Sequence, residues 1–153
     1  MKFNVFLKVN HGAHWVLSSG SPIFESTLFE TRPEAINALE KFVTGMESPT
    51  FIDNDNSDSP SPATVIFKQI DSRWHWTLFF SFNGVRSKIA ESSEKGVDSL
   101  ELAKQKAKIF CNSIVDAPIL DQFDIAIPGL GFTKSFERAH NIGDIHPSSK
   151  WVK

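Results

Sequence analysis

The sequence predicts an α+β fold of two tandem strand-strand-strand-helix units, each an antiparallel sheet with a helix packed on one face, followed by a C-terminal extension. Three observations carry that prediction. A stretch rich in Pro, Ser, Asp and Asn from Glu47 to Pro62 divides the chain. On either side of it the same order of scarce residues recurs. Val5-Phe6-Leu7-Lys8 is followed after five residues by His14-Trp15-Val16-Leu17, and Val65-Ile66-Phe67-Lys68 after six by His75-Trp76-Thr77-Leu78. A helical pattern then closes each copy, and such repetition takes precedence over any single motif. The expected organisation is a first unit at 1–46, a linker at 47–62, a second unit at 63–117, and an extension at 118–153 packing on the repeats.

The elements follow in order. Val5 to Lys8 and His14 to Leu17 have the aromatic and β-branched content of strands, and the turn Ser19-Gly20-Ser21-Pro22 leads to a third strand around 23–29. Thr31 and Glu34 stand at capping-box spacing with Pro33 in the opening turn. Ala35, Ala38, Leu39, Phe42 and Met46 then share one helical stripe. In the second copy Asn83-Gly84 marks a hairpin, because both residues tolerate positive φ, and a third strand spans Val85 to Ala90. Asp98 and Glu101 repeat the capping spacing. Leu100, Ala103, Ala107, Phe110 and Ile114 continue as an amphipathic helix that must end before Pro118. In the extension, Phe123, Ile125 and Ile127 alternate as an added strand would, Thr133 to His140 suits a short helix, and 142–153 looks irregular.

Composition narrows the class. With 153 residues and 41% hydrophobic content the chain can bury a core. Its apolar runs, such as Trp76 to Phe82, fall far short of the roughly 20 residues that cross a bilayer. Asn4 and Lys8 interrupt the N-terminal apolar run, so it reads as a strand rather than a leader. The single cysteine, Cys111, cannot form an internal disulfide and sits on a helix beside Phe110, which suits an inert thiol and a cytoplasmic home. Net charge is -2, but residues 63–115 hold 8 basic and 5 acidic side chains against 4 and 8 in residues 1–62. The middle of the chain is locally basic.

The second copy runs from Val65-Ile66-Phe67-Lys68 through Arg73-Trp74-His75-Trp76-Thr77-Leu78, Asn83-Gly84 and Ile89-Ala90-Glu91-Ser92 into its helix. It resembles the YegP-like domains of unknown function. Their signature is a strand with a charged turn, a Trp-rich second strand, an Asn-Gly turn, an apolar-Ala-x-Ser segment and a closing helix. The resemblance covers about 50 residues. The first copy shares only Lys8, His14-Trp15 and its helix, and Gly96-Val97 stands where that family often has Gly-Tyr. The resemblance implies a small antiparallel sheet under a helix, with two units packing as tandem copies or as a dimer. It implies no activity, cofactor or catalytic residue.

Strand alternation assigns Trp74, Trp76, Leu78, Phe80 and Phe82 to the core and Arg73, His75, Thr77, Phe79 and Ser81 to the opposite face. Lys68, Arg86 and Lys88 of the neighbouring strands join that second face. The candidate binding residues are therefore Lys68, Arg73, His75, Phe79, Arg86 and Lys88, a basic surface with one aromatic. Such a face holds a phosphate backbone and stacks a base in sheet-type RNA readers, although those present two or three aromatics. The simplest alternative is a solvated face with no ligand. A third is packing between the copies, since Lys8 and His14 occupy matching positions.

No catalytic, metal or cofactor motif stands out. His11 and His14 point in different directions and share no carboxylate or cysteine partner, with His140 and His146 in the tail. Asp53-Asn54-Asp55-Asn56-Ser57 opens like a calcium loop, yet Asp58 and Thr64 occupy the positions of its glycine and glutamate. Pro128-Gly129-Leu130-Gly131 lacks the third glycine of a nucleotide loop, where Lys134 stands. Asp116, Asp121 and Asp124 suit a charged connection. The leading expectation is a non-enzymatic binding or assembly module without cofactor, monomeric or self-associating through sheet edges, with a protein partner favoured over RNA. Nucleic-acid or anion binding on the basic face ranks second. An enzyme using His14 or His75 as acid or base between the repeats ranks third.

Overall fold

The computed structural model describes residues 1–8, 10, 12–53 and 61–128, and it is an α+β protein. Contacts divide the chain into two compact units, 1–41 with the segment from 113 onward, and 42–112.

The first unit holds β1 (Lys2–Leu7), β2 (Ala13–Ser19) and β3 (Ser21–Glu25), an antiparallel meander, and then enters α1 (Arg32–Met46). Val5 faces Trp15 across β1 and β2. Their face buries Phe3, Val5, Trp15 and Leu17, with Phe3 edge-on to Trp15 at 5.8 Å and Phe24 tilted against it at 5.7 Å. Thr31 Oγ1 accepts the Glu34 amide hydrogen, so the expected cap forms and α1 starts where its sequence signal placed it. Ala35, Leu39, Phe42, Val43 and Met46 are buried along one side of α1.

The second unit holds β5 (Ala63–Ile70), β6 (Arg73–Phe82) and β7 (Val85–Glu91) and then most of α2 (Leu100–Asp116). Both hairpins close on two left-handed residues, Asp71 and Ser72 (φ 52° and 67°) and Asn83 and Gly84 (φ 51° and 84°). The core face of β5 and β6 buries Val65, Phe67, Trp76, Leu78 and Phe80. Trp76 meets Phe110 of α2 at 5.3 Å, and Phe80 meets Phe42 at 4.9 Å. Trp74 and Phe82, expected in the core, are only half buried because they lie at the two ends of β6. The cap of α2 also moves by one residue. Ser99 Oγ, rather than the Asp98 carboxylate, accepts the Leu102 amide hydrogen.

Each sheet gains a fourth, parallel strand from beyond a helix. β4 (Thr50–Ile52) follows α1 but pairs with β5, giving the order β4-β5-β6-β7. β8 (Ile119–Asp121) follows α2 but pairs with β1, giving β3-β2-β1-β8. The stretch 47–62 therefore contains a strand, with Phe51 edge-on to Phe67 at 5.4 Å. The added strand of the extension lies earlier than the alternation of 123, 125 and 127 suggested. Phe123 and Ile125 are 73% and 62% exposed on a turn, and only Ile127 is buried. Asp121 Oδ1 accepts from the Phe123 and Ile125 amides, Asp124 adopts φ 63°, and Lys2 and Asn4 both donate to Asp124 Oδ1. Those two bonds hold the Asp124 carboxyl below its ordinary range. The helix expected at 133–140 lies outside the described residues.

Candidate binding face on the second sheet

Cross-strand pairing settles which side chains share the face opposite the core. Lys68 lies opposite His75, Phe79 opposite Lys88, and Ser81 opposite Arg86. The six candidates therefore do occupy one side of the sheet, but in two groups. Phe79 and Arg73 are six residues apart on β6, about 20 Å along an extended strand. Thr64, opposite Phe79, and Ile66, opposite Thr77, are buried on the same side. This face is not uniformly solvated.

At one end, Arg73 is engaged by its own chain. Its Nε donates to the Lys95 carbonyl at 3.0 Å, its Nη2 to the Gly96 carbonyl at 3.0 Å, and its Nη1 pairs with the Asp98 carboxylate. Trp74 and Val97 exchange backbone hydrogen bonds at 2.8 and 2.9 Å, so the loop before α2 lies along the first residues of β6. Gly96 has φ 64°, and a Cβ there would stand 2.8 Å from the Trp74 carbonyl oxygen and from His75 Nε2. This close approach requires glycine. Arg73 and His75 thus support a loop.

At the other end the residues are presented outward. The Arg86 guanidinium lies 4.1 Å from the Phe79 ring centroid, a cation-π contact with both groups on the sheet surface. Arg86 and Lys88 are exposed, and Lys88 Nζ is 3.5 Å from Glu91 Oε1. A register shift between Leu78 and Phe79 lets Ile89 and Ala90 both turn inward, Ile89 being buried and Ala90 lying opposite Leu78. Glu91, opposite Thr77, therefore returns to the basic side. Of the four cations on this face, Arg73 and Lys88 face carboxylates of their own unit. Sequence alternation missed Glu91 because a bulge reverses its parity. It missed Asp98 and Gly96 because only the folded loop brings them to β6.

The first sheet carries a different group. His14 lies opposite Phe6 rather than Lys8, and the rings stack at 5.3 Å. The longer loop after β1 moves this register by two residues relative to Lys68 opposite His75, so the two histidines keep their faces but lose equivalent partners. His14 is 8% exposed, its Nε2 is 3.4 Å from Glu25 Oε2, and its buried Nδ1 has no hydrogen-bond partner. Burial first, and Lys8 second, push its pKa below the ordinary value against the pull of Glu25. Burial likewise pushes the Cys111 thiol up to about 12, which leaves no thiolate at neutral pH.

Among the described residues no group of three or more His, Cys, Asp or Glu side chains is placed to hold a metal. His11, His140, His146, Gly129 to Gly131 and Asn54 to Ser57 lie outside those residues. Among the described residues, no helix is long and apolar enough to cross a membrane. No protein-family model, curated protein or solved structure matches the chain.

Proposed function

We propose that the chain is a non-catalytic binding module and that its contact surface is the outer side of the β6–β7 hairpin. The observation that carries this reading is the Arg86 guanidinium 4.1 Å over the Phe79 ring beside Lys88, on a strand at the margin of its sheet. Aromatic and arginine side chains dominate the energy of protein contacts, and a guanidinium already seated on a ring loses little freedom when a partner arrives. Among the described residues, three groups that acid-base or nucleophilic chemistry could use are engaged or shielded. Cys111 stays protonated, Arg73 is bound to its loop, and His14 is buried. The YegP-like resemblance of the second unit belongs to the same proposal, as it implies this kind of sheet and no activity.

Glu91 and Asp98 weigh against a phosphate backbone as ligand, because each faces one of the cations a nucleic acid would need. The test compares proteins retained from host extract by the wild-type chain and by Phe79→Ser/Arg86→Glu. A protein partner lost by a folded double variant is the expected result. Identical retention by both would overturn the assignment of the face. Salt-sensitive affinity for single-stranded RNA would replace a protein partner with a nucleic acid.

A further inference from the structure

We infer that β7 accepts an incoming peptide strand with acidic residues at alternate positions, an inference that deepens the binding-module reading and rests on it. β7 stands at the margin of its sheet, and among the described residues it pairs only with β6. The two-residue turn Asn83-Gly84 closes on the pair Phe82 and Val85, whose backbone groups satisfy one another. Alternation along an antiparallel ladder then gives Ser87 to β6 and turns the N–H and C=O of Arg86 and Lys88 away from it. These same two residues carry the exposed cations. A strand added along β7 would draw its main-chain bonds from Arg86 and Lys88. It would also place two of its own side chains, at i and i+2, directly opposite theirs.

That coincidence selects the occupant. Opposite charges across a strand pair are favourable and like charges are not. An acidic i, i+2 segment therefore suits the site, whereas a second copy of β7 running antiparallel about Ser87 would set Arg86 against Lys88. Strand addition supplies affinity through the backbone and specificity through alternate side chains. Glu91 pairs with Lys88 at the surface, where such a contact is weak enough to exchange for a ligand carboxylate.

The experiment titrates the full, isotope-labelled chain with an acetylated hexapeptide alternating Glu and Val and follows backbone amides by NMR. The expected result is a shift and slowed exchange at the Arg86 and Lys88 amides. Arg86→Glu/Lys88→Glu should lose affinity at least tenfold and gain affinity for the Lys/Val peptide. Equal binding of the Glu/Val and Lys/Val peptides by wild type, or shifts mapping away from β7, would overturn the inference. If no peptide binds while variants of Phe79 and Arg86 still lose a host partner, strand addition is wrong and the binding face stands. If the partner too is unaffected, both fall.

Discussion

Arg73 donates from three nitrogens to residues 95–98, so its replacement acts on the loop before α2. Arg73→Ala should cost about 1 kcal/mol, since the bonds lie near the surface. Hydrogen exchange at the Val97 amide should rise, and unchanged protection there would contradict the assigned role. Gly45 presents the opposite case. A Cβ at this helical position would lie 2.6 Å from Cε1 of the buried Phe80. Gly45→Ala gains helix propensity yet overpacks the core, so chemical denaturation should show a net loss of about 1–3 kcal/mol. His14 sets a pH dependence. A histidine whose pKa is lower in the folded chain binds fewer protons there. Its contribution is intact above the ordinary 6.5 and is lost as pH falls from that value through the folded one. Denaturation at pH 7.5 and 5.5 should show wild type losing stability at the lower pH, with a smaller loss for His14→Phe. These roles were hidden in the sequence: Arg73 read as a ligand cation, His14 as the match of His75, and the Gly45 position gave no signal of the ring beside it. Each depends on a contact with a residue distant along the chain.

At the level of elements, local chemistry was the most legible. Thr31 with Glu34 marked the start of α1, Asn83-Gly84 marked a two-residue turn, and the Trp76, Leu78 and Phe80 alternation marked a core face. The α2 cap slipped to Ser99 because Asp98 is drawn to Arg73. The bulge at Leu78 and Phe79 was invisible because both parities of 88–91 contain apolar residues. Sheet margins are managed in separate ways. Residues 125–127 fold back along β8, with the Asp121 amide bonded to the Ile125 carbonyl, while β3 carries Pro22. β7 carries Arg86 and Lys88, the charges that discourage edge pairing between identical chains. Arg86→Val/Lys88→Val should therefore associate with rising concentration by light scattering while wild type does not. Identical behaviour would show that these charges do not govern the edge.

For the molecule as a whole, the repeating pattern announced two sheets and two helices, but it hid which chain segment completes each sheet. Three residues, Thr50–Ile52 or Ile119–Asp121, are too short to stand out from the turn-forming residues around them, and parallel pairing leaves no hairpin signal. Ile119 is buried and lies opposite Phe3 in register. Ile119→Ser should accordingly raise hydrogen exchange first in β1, with β5 protected longer, and equal loss in both would contradict the observed pairing. The contact surface that we propose is the outer face of the β6–β7 hairpin. A photoactivatable amino acid in place of Ser81, opposite Arg86, tests it most directly when irradiated in host cells beside the same substitution at Glu101 on α2. The expected result is a discrete protein adduct from position 81 that Phe79→Ser weakens. Adducts from position 101 alone, or a position-81 adduct indifferent to Phe79, would contradict it.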